Sequence, residues 1–229
     1  MALALAALTP GFFVVAFTEW QVNRLRQAEV SELALRSARQ VAFELDRIIS
    51  GVKTLILAVS FVPDLRDLDP RRCAAYLGDM RPHLSDVAIL SVLDTTGHVR
   101  CRSEPSIVGD ASLADRTYFQ QALANPEFAL GTYTIGKLSH RPILPLALAI
   151  HDHAGQPIGV VVASIDLRWL GEQLKQRGLP PGGSVTVADR NGVIIARQPL
   201  FDQFLGTKIP VGFMRLVNAP EPGVETVMS

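Results

Sequence analysis

Between Gln21 and Val62 the chain contains no proline, and no other feature constrains it as much. A proline inside a helix removes a hydrogen bond and clashes with the preceding turn, so its absence over this length allows one unbroken helix. Apolar residues recur at Ala38, Val41, Leu45, Ile48, Val52, Leu55 and Val59. The steps alternate three and four, which makes a heptad seam. At 1.5 Å per residue, a stalk helix over 21–62 would run roughly 60 Å. A seam of this kind packs on the chain's own sheet or on the same helix of a second subunit. The expectation is both: the far half on a sheet, the near half in a homodimer.

Upstream of the seam, "MALALAALTPGFFVVAFT" carries no charge, and Glu19 is the first. About 20 apolar residues span a bilayer as a helix, so 1–20 is expected to be a transmembrane helix, with its true start beyond residue 1. A cleaved signal peptide and a buried helix are the alternatives. "VVA" at 14–16 would suit cleavage, but no basic stretch precedes it. No Lys or Arg lies before the span; Arg24 and Arg26 follow it, which taken alone favours a cytoplasmic side for what comes next.

Pro63 ends the long helix. "LDPRRCAAYLGDM" predicts a second one, with Asp69 as N-cap and Pro70 at the first helical position, where its missing N–H costs nothing. Cys73, Tyr76 or Leu77, and Met80 share a face, and Pro82 stops the helix. Strand patterns then take over. "VAILSVLD" and "HVRCRS" flank the turn Thr95-Thr96-Gly97. "FALGTYTI", "PILPLALAIH" and "PIGVVVASIDL" follow, the last two joined by the turn "DHAGQ". Five short strands with local turns predict one antiparallel sheet. With a helix covering a face, the fold class is α+β. "LRWLGEQLKQRG" reads as a helix leaving that sheet, and "LPPGG" at 179–183 as a linker. Beyond it, "SVTVADRNGVIIAR" repeats the strand–Asp–polar–Gly–strand plan of "AILSVLDTTGHVRCR", which suggests two modules of one type. "VETVMS" looks like the start of another strand.

Enzyme chemistry finds no footing. The full phosphate loop GxxxxGK[ST], HExxH and GxSxG are all absent. "HDH" at 151–153 could put two imidazoles on one side of a strand, but a metal needs more ligands than two. Cys73 and Cys101 are not in a CxxC, so neither a zinc site nor a redox motif is indicated. The 22 basic and 22 acidic side chains balance, which argues against a nucleic-acid partner. No cofactor is expected.

"DRTYFQQAL" at 115–123 opens a short helix with an acid, a base and an aromatic pair, just before the strands. Arg116 can point a fixed fork of donors at a carboxylate. Tyr118 can supply a wall and a hydroxyl. The plainer alternative pairs Arg116 with a nearby acid and buries Tyr118 and Phe119 in the core. Asp166, ending the last long strand, could meet a ligand ammonium or cap the helix that follows. Tyr133, Lys137, His140 and Arg141 lie on the strand and loop that should roof such a pocket.

The order of membrane span, long helix, "SVLDTTGHVRCR", "LADRTYFQQAL", "GTYTIGKLSHRPILPLALAI", "GVVVASIDLRWL" and "VTVADRNGVIIAR" resembles a double Cache (PDC-type, PAS-like) extracytoplasmic sensor, over nearly the whole chain. The resemblance implies a long N-terminal helix carrying one complete Cache module, membrane-distal, at 63–178. The start of a second, membrane-proximal module would occupy 184–229, with the output domain cut off. It implies attachment to the inner membrane with residues after about 20 in the periplasm. Function would be that of an input region for a receptor, ranked histidine kinase, then diguanylate cyclase, then chemoreceptor. A membrane-anchored periplasmic binding module without output is the alternative. Ligand contacts would fall on Arg116, Tyr118, Tyr133, Lys137, His140, Arg141 and Asp166. Amino-acid-binding members carry Arg-x-Trp-Tyr here and an Asp further on. This chain matches Arg116 and Asp166 but has Tyr118 and Phe119, and Phe119 offers no hydroxyl. The basic excess of Arg116, Lys137, His140 and Arg141 over Asp166 fits a small carboxylate as well as an amino acid.

The two cysteines complete the expectations. Cys73 lies on the inner face of its helix, and Cys101 alternates with Val99, which marks the buried face. With an oxidising exterior the pair is expected to bridge, the alternative being two buried thiols. The bridge would close a loop of about 29 residues, worth on the order of 3 to 4 kcal/mol in the chain-entropy view.

Overall fold

The proline-free stretch does form one helix. In the computed structural model, α1 runs Ala2–Ser60. Residues 2–104, 111–176, 179, 182–217, 219, 221 and 222 are described, with side chains from Glu19 onward, Asn23 excepted. The expected span at 1–20 therefore lies almost wholly outside the described side chains, as do "VETVMS" and two prolines of the 179–183 linker outside the described residues. Among the described residues no helix is long and apolar enough to cross a membrane.

The chain divides into two compact units, and everything that positions the site lies in the second, residues 47–218. In the first, Arg24 stacks over the Trp20 ring at 4.1 Å, and Arg36 pairs with Glu32 one turn away. Ala38 is exposed, whereas Val41 is buried.

In the second unit the seam residues Val52 and Val59 are buried, and between them Ile56 is buried where the seam pattern expected Leu55, which is half-buried. A short helix α2 (Pro63–Arg66) buries Leu65. Then α3 (Pro70–Met80) starts where the Asp-Pro pair places it: the Asp69 carboxylate accepts from the backbone N–H of Arg71 and Arg72 at 2.9 and 3.0 Å. That satisfies two of the orphan donors every helix start leaves.

Six strands make the main sheet: β1 (Val87–Asp94), β2 (Val99–Arg102), β3 (Ala129–Leu130), β4 (Thr134–Ile135), β5 (Pro142–His151) and β6 (Pro157–Asp166). Their order is β2-β1-β6-β5-β3, with β4 also on β5, and every pair is antiparallel. "FALGTYTI", expected as one strand, splits into β3 and β4. Gly131 packs so tightly on Pro145 of β5 that a Cβ there would stand 2.6 Å from the ring. Between β2 and β3 in sequence lies α4 (Thr117–Ala124), which sits on β5 and β6 in space.

Register gives the sheet two unlike faces. Residues paired across strands share a face. Toward α4 stand Ile89, Ser91, Leu93, Ala147, Val160, Val162 and Ser164, a set with several small members. On the reverse stand Leu90, Val92, Leu144, Leu146, Leu148, Ile150, Gly159, Val161, Ala163 and Ile165, a face without hydroxyls and mostly aliphatic. The reverse face is where Cys101 meets Cys73 of α3, with their Cα atoms 5.8 Å apart and the sulfurs joined. One premise of the sequence reading fails here. Val99 and Cys101 do not share a face, because a bulge sets Leu93 opposite Val99 and Val92 opposite Cys101. The extra residue, Arg100, turns Val99 toward α4 and Cys101 toward α3.

After β6, α5 (Leu167–Lys175) packs on a second, two-stranded sheet of β7 (Val185–Ala188) and β8 (Ile194–Gln198). Gly171 of α5 lies so close to Phe201, at the start of α6 (Phe201–Phe204), that a Cβ would stand 2.5 Å from the ring.

Three turns share one construction, at Asp94–His98, Asp152–Gln156 and Asp189–Val193. In each, one Asp oxygen accepts from the N–H groups two and four residues on, at 2.8–3.1 Å. In each, the fourth residue is a glycine with φ of 86°, 79° or 72°. This is the hairpin loop whose left-handed position glycine fills at least cost.

Candidate ligand-binding site

The "DRTYF" segment breaks a helix rule. Arg116 is the N-cap of α4, and its side chain makes no capping bond. A guanidinium has donors only, so it cannot do what Ser, Asp or Asn does there. It turns instead to the strand opposite, where Nη1 donates to Thr134 Oγ1 at 3.0 Å and Nη2 to the Ile135 carbonyl at 3.5 Å. Both acceptors are neutral. The Nε–H is buried with no partner among the described residues. Asp115, the residue that looks like a cap, takes Lys137 Nζ at 2.6 Å. That hydrogen bond holds its carboxyl below the usual carboxylate range.

Between α4 and the 132–134 segment lies a cleft of about 230 Å³, lined by Asp115, Arg116, Thr117, Tyr118, Thr132, Tyr133 and Thr134. Tyr118 forms its inner wall. Its phenol is pushed up to about 12 by burial, so it stays a neutral hydroxyl at any physiological pH. On the other side of Tyr118, beneath the 136–139 loop, is a small pocket of about 10 Å³. It is floored by Ile89, Ser91, Val162 and Ser164 and roofed by Lys137, Leu138 and Ser139. That is at the lower limit of what holds one water. Ser91 and Ser164 are buried polar residues that border this pocket.

Of the residues singled out in the sequence, the structure brings Arg116, Tyr118 and Tyr133 together around the cleft, and Lys137 to the roof of the small pocket. His140, Arg141 and Asp166 line neither. His140 is exposed in the loop with φ 53°, donating its backbone N–H to the Gly136 carbonyl at 2.9 Å. Asp166 caps α5, with Oδ1 accepting from the N–H of Arg168 at 2.8 Å, while Oδ2 takes Arg141 at 3.3 Å. The helix-cap alternative describes it.

Ser91, Ser164, Thr132 and Thr134 were not picked out in the sequence. The serines were legible in principle: each interrupts an otherwise apolar run, in "VAILSVLD" and "VVVASIDL". A hydroxyl in a strand buried on both faces is the informative exception to apolar interiors.

Several comparisons bear on this arrangement. A family model described as a Cache domain matches residues 18–220. No curated protein matches the sequence. Among solved structures, the extracellular domain of rpHK1S-Z16, assigned as a histidine kinase, superposes with a TM-score of 0.64 at 20% identity, over 80% of this chain and 75% of that one. The ligand-binding domain of the Pseudomonas fluorescens chemoreceptor CtaA, in complex with L-isoleucine, gives 0.62 at 19% identity, over 82% and 75%. The sensor domain of the V. cholerae histidine kinase DctB gives 0.59 at 16%, over 83% and 80%. At these identities the likeness is one of fold.

Proposed function

Because this chain belongs to the Cache-domain family, we propose that it is the extracytoplasmic, small-ligand-sensing input region of a transmembrane receptor. The ligand is a small carboxylate or amino acid. One observation carries this. Arg116 stands at the wall of an open cleft, its two hydrogen bonds go to neutral oxygens, its Nε–H is left over, and the neighbouring Asp115 carboxylate, which feels its charge, is hydrogen-bonded to Lys137 instead. A carboxylate supplies what that guanidinium lacks. The buried Tyr118 hydroxyl and the two threonines fix the remaining orientation. The receptors named above, a chemoreceptor holding L-isoleucine and two histidine kinases, support the ligand class and the kind of output. A histidine kinase is the output we favour, ahead of a diguanylate cyclase and a chemoreceptor.

Several features belong to the same proposal. They are two modules joined by the 179–183 linker, an inner-membrane anchor at 1–20, a periplasmic position for the rest, and a homodimer through α1. The joined Cys73 and Cys101 support an oxidising compartment.

The test is a thermal-shift screen of small carboxylates and amino acids, repeated on Arg116→Ala. The substitution should abolish the shift given by any carboxylate hit, a loss of at least about a hundredfold in affinity for a charge-assisted bidentate pair. The melting temperature of the ligand-free protein should move by only a few degrees, since the two bonds lost go to neutral, part-exposed groups. Unchanged affinity with a collapsed melting temperature would make Arg116 structural and remove the cleft as the site.

A further inference from the structure

The three aspartate turns use their carboxylates differently. In all three one oxygen closes the turn. Asp94 and Asp152 stop there: among the described residues their second oxygens reach no distant segment. Asp189 goes further. Its Oδ2 accepts the backbone N–H of Tyr133 at 2.8 Å, across 56 residues of sequence, and Asp189 is only 7% exposed. Two neighbours grip the same segment. The Arg190 guanidinium donates to the Leu130 carbonyl. Gly206 lies so close to Tyr133 that a Cβ there would stand 2.5 Å from the phenol oxygen.

The gripped segment is the outer wall of the cleft. Thr132, Tyr133 and Thr134 line it, and Thr134 is also the hydroxyl that Arg116 holds. The wall needs such help. β3 and β4 are two residues each, with Gly131 between them, so few ladder bonds fix the backbone. From these observations we infer that Asp189 is a positioning residue for the ligand cleft. It ties the wall opposite Arg116 to the β7–β8 hairpin, so a ligand that moves the wall moves the hairpin. Reciprocity follows: whatever stabilises one arrangement of the hairpin alters cleft affinity by the same factor. The inference rests on the cleft being the ligand site. Its test reads the wall itself, so a protein that binds none of the screened compounds still decides it.

The experiment is hydrogen exchange, resolved by residue, on the full chain and on Asp189→Asn, Asp152→Asn and Arg190→Ala. An asparagine can keep one oxygen on its own turn while presenting an NH2 to the Tyr133 N–H, where two donors then oppose. In Asp189→Asn the Tyr133 amide should exchange at least about tenfold faster, as expected for losing a bond to a charged acceptor. Amides of β1, β5 and β6 should be unchanged, which separates a loosened wall from a protein destabilised throughout. Asp152→Asn makes the same chemical change in the same kind of turn and should leave Tyr133 alone. Equal Tyr133 exchange in the two variants would overturn the inference. If Asp189→Asn does not fold, Arg190→Ala decides: faster exchange at 131–134 supports the tie, and unchanged exchange there overturns it.

Discussion

Tyr118 is the residue on which the two spaces of the site meet, and its ionisation is a direct probe of them. Burial raises its phenol to about 12, against a usual value near 10. A group with a raised folded value contributes stability that is whole below the unfolded value and is lost as pH rises through the folded one. Between about pH 10 and 12 the wild type should therefore lose on the order of 2 kcal/mol that Tyr118→Phe does not lose. The chain has three tyrosines. Ultraviolet difference titration should show one of them ionising last, and that late step should vanish in Tyr118→Phe. Three tyrosines titrating together would mean that water reaches the phenol freely. The neighbouring Arg116 shows how a local rule broken in sequence can mark a site: an N-cap with no acceptor is left with its donors aimed elsewhere.

At the scale of elements, the turns allow a controlled comparison. Gly97 and Gly155 occupy the same left-handed position, at φ 86° and 79°, but in different surroundings. A Cβ on Gly155 meets nothing within 4 Å, whereas one on Gly97 would stand 2.7 Å from the Ala114 backbone nitrogen. Gly155→Ala should thus cost about 1 kcal/mol, the conformational penalty alone. Gly97→Ala should cost at least about 1 kcal/mol more, because the segment leading into α4 must move. Urea unfolding at constant slope measures the difference, and equal midpoints would show that the Ala114 segment yields freely.

The same elements show what sequence could and could not convey. The α3 start was legible because Asp69 and Pro70 act within one turn of themselves. The Asp–x–x–Gly hairpins were legible for the same reason. The split of "FALGTYTI" was not, since it depends on Gly131 meeting Pro145, fourteen positions on by number and adjacent only once β5 has paired. The bulge at Arg100 was hidden likewise: a one-residue shift changes no composition, yet it reverses which face Val99 presents. Within the site, Arg116 and Tyr118 announced themselves by residue type on a short helix. Asp166 carried the same chemical promise and is held by a cap and an ion pair. Asp189 could be read from sequence only as a turn residue, because its second oxygen acts over a tertiary distance.

For the whole molecule, the question is what the rest of α1 packs against. The seam residues Val41, Val52 and Val59 are used within the chain, and so is Ile56 beside them. Ala38 remains exposed. A charge there, as in Ala38→Glu, should weaken self-association about tenfold, or about 1.4 kcal/mol, without lowering the melting temperature of the monomer. A charge at Val41 would confuse the two effects, since that side chain is already buried. Sedimentation equilibrium on a fragment beginning near Gln21 reads both quantities. A fragment that stays monomeric and fully folded at high concentration would remove the homodimer from the proposal.

The unlike faces of the main sheet carry a further consequence. Adjacent positions on β5 and β6 have different neighbours, because Ala147 and Ser164 look toward α4 while Leu146 and Ile165 look away from it. Under the proposed function the α4 face serves two demands at once, since Leu93, Ala147, Val160 and Val162 build the core beneath Tyr118 and Phe119 while Ser91 and Ser164 border the small pocket beside Tyr118. On that proposal, a lineage would drift toward a new chemical signal through those two serine positions, leaving intact the hydrophobic inheritance around them.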